Sequence, residues 1–231
     1  MKTLYKYLSA LLCLMFIPFM TVGCVNNANS PEIPEENIEV TTPQTEESVD
    51  KTPELSEETK EENVTTEPLE PILPGINSEV LGKLECFEVT SGNLNNNVWD
   101  DIISNTDVGS NHSPELTWEA VDGAESYVIY MVDTTAANWI HWKSSGITET
   151  TLPEGFADSS EYIGPYPPAG APHTYEIYIL ALKETPERAK GAFNGQNPKF
   201  VENLESLDIN QNGESGNIIS YGFVAGTFTS K

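Results

Sequence analysis

The run Ser126-Tyr127-Val128-Ile129-Tyr130-Met131-Val132 limits the architecture more than any other stretch of this chain. After Ser126 no polar residue interrupts it, and its β-branched and aromatic content favours a strand. It lacks both the helical period and the alternation of a half-exposed strand, so both of its faces must be covered. Tyr175-Glu176-Ile177-Tyr178-Ile179-Leu180-Ala181-Leu182 is another strong strand. Trp139 to Lys143 alternates, which predicts Trp139, His141 and Lys143 on one face and Ile140 and Trp142 on the other. Asn217 to Thr229 forms a further strand, where Gly222 and Gly226 mark bends or bulges. Weaker strand signals lie at 84–90, 98–103 and 116–119. Between the strong strands, Phe200, Val201, Leu204 and Leu207 recur at helical spacing and predict one short helix. Many short strands separated by turn clusters predict an all-β fold: a sandwich of two antiparallel sheets in Greek-key-like order, with one or two short helices.

The first residues read as an export signal. Lys2 and Lys6 precede an apolar run from Leu8 to Met20, too short for a stable membrane span, and Thr21-Val22-Gly23-Cys24 follows. A small residue before the first Cys after such a core resembles the lipoprotein cleavage box, with Thr21 in place of its usual Leu. The expected organisation is a signal peptide over 1–23, a lipidated Cys24 at the mature N-terminus, a linker over 24–78 and one domain over 79–231. Multiple acyl chains on Cys24 would anchor the protein durably to the extracytoplasmic face of a bacterial cell membrane.

Charge separates the linker from the domain. Residues 25–74 hold 13 Glu and one Asp against two Lys, with no aromatic residue, and are expected to be a disordered spacer. The remaining residues carry 22 carboxylates against seven Lys and Arg. Such a field repels nucleic acid, which is excluded as a partner. With Cys13 removed and Cys24 lipidated, Cys86 has no disulfide partner and is expected to be a buried small hydrophobe.

The chain has three histidines. His141 sits in the alternating strand, and Asp133 ends the strand before it. His173 and Tyr175 are two apart at a strand start and therefore share a face. Before them runs Gly164-Pro165-Tyr166-Pro167-Pro168-Ala169-Gly170-Ala171-Pro172, in which proline fixes the backbone and glycine allows close approach of a ligand.

These segments, with Ser113-Pro114-Glu115-Leu116-Thr117-Trp118, Leu152-Pro153-Glu154-Gly155 and a closing Gly226-x-Phe228, resemble the phosphatidylethanolamine-binding protein family in its bacterial Raf kinase inhibitor-like branch. The landmarks span residues 84 to 230 in the family's order. The resemblance implies that Asp133, His141, His173 and Tyr175 converge at one mouth with Gly164, Pro167 and Pro168 of the turn. A carboxylate beside an imidazole would raise its pKa, and an imidazolium, a phenol and turn amides could then hold a small anion or polar head group. The chain departs from the family at Asp133-Thr134-Thr135-Ala136-Ala137, which lacks a second carboxylate and two prolines, and at His173-Thr174-Tyr175, which lacks an arginine.

The implied function is a membrane-tethered binding module without catalysis and without a cofactor. The alternative is a protein-interaction module, acting as a protease or kinase-type inhibitor through exposed loops such as 191–198. A weak hydrolase would need a nucleophile: Ser113 is conceivable, with His141–Asp133 as a dyad, but no Gly-x-Ser-x-Gly turn is present. Zinc on Asp133, His141, His173 and His112 has no compact ligand spacing behind it, and no metal site is expected.

Overall fold

The computed structural model of the chain describes residues 70–231. The expected signal peptide, the lipidated Cys24 and the linker up to residue 69 lie outside the described residues.

Among the described residues nine strands form: β1 (Cys86–Thr90), β2 (Leu94–Asn95), β3 (Val98–Trp99), β4 (Leu116–Trp118), β5 (Ser126–Asp133), β6 (Trp139–Ile147), β7 (Thr151–Leu152), β8 (Pro172–Leu182) and β9 (Ile218–Thr229). One helix, α1 (Phe200–Glu205), continues into a 3-10 turn at Ser206–Asp208, where the apolar spacing placed it. The fold is mostly β, as expected. The strand pairing does not confirm the two antiparallel sheets or the Greek-key-like order. The strands follow one hydrogen-bonded path, β6-β5-β8-β9-β1-β4-β7. β9 takes β8 antiparallel on one side and β1 and β3 in parallel. The path curls back on itself: Trp118 of β4 meets Tyr127 of β5 edge to face, with ring centroids 5.2 Å apart. Alternation reports which face a residue occupies but not which strand lies beside it, so the order had no local signature.

Gly222 and Gly226 serve close approach rather than bulging. A Cβ on Gly222 would lie 2.2 Å from the Phe87 ring, and one on Gly226 would lie 2.4 Å from Leu94. Both glycines let side chains lie directly on the β9 backbone.

All eight residues of β5 are buried, so the doubly covered strand is confirmed. Tyr127, Ile129, Met131, Trp142, Tyr175, Ile177 and Ile179 share one core with Val89, Leu116 and Trp118 from the curled end of the sheet. Val128, Tyr130, Val132, Ile140, Tyr178 and Leu180 share a second core on the other face, closed by Leu81, Phe200 and Leu204.

The facing expected along β6 is corrected by a bulge. Met131 pairs with Trp142 and Val132 pairs with Ile140, which leaves His141 as the extra residue. The bulge puts Trp142 on the face of His141 and sends Lys143, opposite Tyr130, to the face of Ile140. Cys86 is also corrected: it is exposed, although partial desolvation of its thiol raises the pKa.

Contacts between the N-terminal described residues and the domain begin before residue 79. The Gly75 amide donates to the Glu176 carboxylate at 2.9 and 3.1 Å, and Ser78 Oγ donates to Glu205 at 2.7 Å.

Candidate functional site

A cavity of about 400 Å³ opens at one end of the β5–β6–β8 sheet, lined by Asp133, Ala136, Trp139, His141, Tyr166, Pro167, Pro168, His173 and Tyr175. Sheet register builds it. Asp133 ends β5 and pairs across to Tyr175 on β8 and to Trp139 on β6. Alternation on β8 brings His173 and Tyr175 to the same side, where their rings stack 6.5 Å apart. The bulge in β6 keeps His141 on this side too, with its ring 5.2 Å from that of Tyr175 and 6.2 Å from that of Tyr166.

Asp133 and both histidines have definite partners. His173 Nδ1 lies 2.6 Å from Asp133 Oδ2, and Asp133 Oδ1 accepts from the Ala136 amide at 3.0 Å. Asp133 is 3 % exposed, so this carboxylate depends on those partners. His141 Nδ1 lies 2.8 Å from the Ile163 carbonyl. A carbonyl only accepts, so Nδ1 carries the proton and Nε2 carries the lone pair. Burial lowers the His141 pKa; the Ile163 carbonyl and the Asp133 charge oppose it without reversing it. The cationic donor expected beside the carboxylate is therefore not His141. Burial, with Asp133 nearby, raises the Tyr175 pKa, so its phenol keeps its proton.

Of the residues singled out in the sequence, Asp133, His141, Pro167, Pro168, His173 and Tyr175 come together in the cavity. Gly164 is not among the lining residues. Its amide donates to Asn111 Oδ1 at 2.6 Å, and a Cβ there would lie 2.0 Å from the Ile103 carbonyl oxygen. It allows two backbone segments to touch, and it offers no amide to a ligand. Among the described residues no peptide bond is cis, so the prolines of the turn follow trans bonds.

Ala136, Trp139 and Tyr166 complete the lining and were not read as site residues. Trp139 shares the His141 face by simple alternation, which would have found it. Its indole Nε1 donates to Asn194 Oδ1 at 3.2 Å. Glu176, a buried carboxylate one residue past Tyr175, was also missed. It faces away from the cavity and accepts from Gly75, Thr134 and Tyr178.

The other candidates lie elsewhere. Ser113 is fully buried, with its hydroxyl accepting from the Ala157 amide at 3.0 Å, so it cannot be attacked or attack from the cavity. His112 pairs with Glu154 at 3.0 Å, and neither residue lines the cavity. The loop at 191–198 is not a free arm. Ile140 donates to Gly195 and accepts from Asn194, and buried Asn197 holds the loop together through the Ala192 amide and carbonyl.

The chain is similar over 63 % of its length to the whole of Escherichia coli YbcL, described as a new member of the mammalian phosphatidylethanolamine-binding protein family, at 22 % identity with 99 % of that chain covered and a TM-score of 0.48. The Chlamydia trachomatis phosphatidylethanolamine-binding protein homolog CT736 is similar at 21 % identity, with 63 % of this chain and 99 % of that one covered and a TM-score of 0.46. No curated protein matches the chain. The family model for phosphatidylethanolamine-binding protein matches residues 89–222, which include every strand from β4 to β8 and the whole cavity lining, and the chain belongs to that family.

Proposed function

We propose that the domain is a binding module for a small anion or polar head group, that it performs no catalysis, and that a lipid on Cys24 tethers it to the outer side of the cell membrane. The observation carrying the reading is one cavity that gathers the Asp133–His173 pair, His141 and Tyr175 between aromatic and proline walls. Its size suits a head group rather than a polymer. No Lys or Arg lines it. The Asp133 carboxylate stands in the lining without a fixed cation beside it, so a monoanion or a zwitterion fits better than a multiply charged ion. The tether rests on the basic start, the apolar core and Gly23-Cys24.

Titrating the domain with inorganic phosphate, acetate and phosphoethanolamine, while following the histidine NMR signals, tests the binding site. The expected result is a saturable shift of His141 and His173 with at least one of the three, lost in His173→Ala. If no titrant moves either histidine, or His173→Ala binds as wild type does, the reading is wrong.

A further inference from the structure

A second hollow, of about 340 Å³, adjoins the cavity, and Tyr166 and Pro167 line both. Its other sides are the loop carrying Asp107 and Val108 and the residues after β9, Ser230 and Lys231. Hydrogen bonds tie the three sides together. The Asn105 amide donates to the Pro165 carbonyl and the Gly170 amide to the Ser230 carbonyl, each at 2.9 Å. The hollow is therefore preformed, and a ligand entering it does not have to order its walls.

Its lining combines open apolar surface with uncompensated negative charge. Val108 is 57 % exposed and Tyr166 is 44 % exposed, which is unusual for large apolar side chains in this domain. The Lys231 ammonium lies 2.6 Å from Asp101 Oδ2, so its charge is already balanced. The other ion pairs among the described residues are His112–Glu154 and His173–Asp133, which leaves the Asp107 carboxylate without a cation. The Ser230 hydroxyl is buried and has no hydrogen-bond partner. Residues 75–231 hold 22 carboxylates against seven Lys and Arg, a field that draws in cations and turns away anions.

These features together select among ligands. An acyl chain would cover Val108 and Tyr166 but give Asp107 and Ser230 nothing. A bare metal ion would use the carboxylate and leave the apolar surface wet. A side chain with an apolar stem and a planar cationic head satisfies both. Its stem packs on Val108 and Pro167, and its guanidinium stacks on the Tyr166 ring and donates to Asp107, with further N–H groups left for Ser230.

We propose that the hollow is a docking site for a protein partner, that the partner inserts an arginine side chain into it, and that Tyr166 and Asp107 hold that side chain. The site goes beyond the head-group reading and does not depend on what fills the cavity. The shared wall of Tyr166 and Pro167 sets the partner beside the cavity.

A blocked alanine-arginine-alanine tripeptide, titrated into the 15N-labelled protein at low salt, tests the site. Saturable shifts are expected at the amides of Val108, Tyr166 and Ser230. Asp107→Asn, at an exposed position where folding should be unaffected, is expected to weaken binding about three- to fivefold. Replacing the peptide's arginine with norleucine should weaken it at least as much, and raising the salt to about 0.5 M should weaken it too. An arginine peptide that moves none of the three amides overturns the proposal. So does equal affinity for Asp107→Asn, or equal affinity for the norleucine peptide. Phosphatidylglycerol vesicles that move these amides when the peptide does not would make the hollow a membrane contact, which also overturns it. The His141 and His173 signals report the cavity in the same spectra, so failure there and failure here are read separately.

Discussion

Nδ1 of His173 and Oδ2 of Asp133 approach to 2.6 Å at the point where β8 begins and β5 ends. Neither residue is near the other in sequence, and the contact exists because Asp133 pairs with Tyr175 across the sheet. Asp133→Asn is expected to destabilise the domain by about 1–3 kcal/mol, because it replaces a charge-assisted bond in a nearly closed site with a weaker one. The same substitution should abolish the ligand-induced shift of His173. Urea denaturation with and without phosphate measures both effects, and unchanged stability with unchanged binding would contradict the role given to the pair.

His141 should make the domain less stable in mild acid. Its folded pKa is lowered by burial, so the unfolded chain binds the extra proton first. Stability is then complete above the ordinary histidine pKa of about 6.5 and declines as pH falls from there toward the folded pKa, with a slope of at most about 1.4 kcal/mol per pH unit for this one proton. His141→Gln should flatten the slope between about pH 6.5 and 5, before carboxylates begin to titrate. Parallel denaturation curves of wild type and variant across that window test it; identical slopes would show that His141 is not held neutral.

Gly164→Ala is expected to cost about 1–3 kcal/mol, as overpacking against a rigid backbone does. The added methyl would meet the Ile103 carbonyl oxygen at 2.0 Å and the Asn105 amide nitrogen at 2.8 Å. Since Gly164 does not line the cavity, a thermal melt should show a lowered Tm, while ligand affinity measured well below that Tm changes little. A large affinity loss with normal stability would instead place Gly164 in the site.

Glu176 holds the incoming chain. Replacing it with Ala leaves the Gly75 amide and the Tyr178 hydroxyl without their acceptor, and buried Tyr178 has no easy substitute. A loss of about 1–3 kcal/mol is expected, with faster hydrogen exchange over residues 75–84. Exchange rates in that segment equal to those of wild type would count against the anchoring role.

Cys24→Ala should release the protein from the membrane fraction or leave it unprocessed, if acylation at Cys24 is the anchor. Fractionation of cells expressing the variant and mass spectrometry of the mature N-terminus supply the measurement. A mature wild-type protein beginning elsewhere than Cys24 would refute the lipid anchor.

The sequence by itself determined the long strands, but not β2 or β7, and of the strand expected at 98–103 only Val98–Trp99 forms, with a 3-10 turn after it. β5, β8 and β9 were legible because their residues are β-branched and aromatic, and α1 because Phe200, Leu204 and Leu207 repeat at helical spacing. It also determined that His173 and Tyr175 share a face, since pleating alone imposes that. From residues alone it could not bring Asp133 to His173; only the resemblance of the ordered motifs anticipated that meeting. Tertiary structure decided what depends on pairing between distant segments. The bulge at His141 moved Trp142 and Lys143 to faces opposite those that alternation assigns, because two residues of β6 are spanned by one step of β5. Cys86 of β1 came out exposed, which Glu85 and Phe87 beside it did not indicate. The Ile163 carbonyl, 22 residues from His141, fixed which nitrogen of that ring carries the proton. A hydrogen-bond partner supplied from another loop leaves no local pattern, and it is such partners that set whether the cavity presents protons or lone pairs.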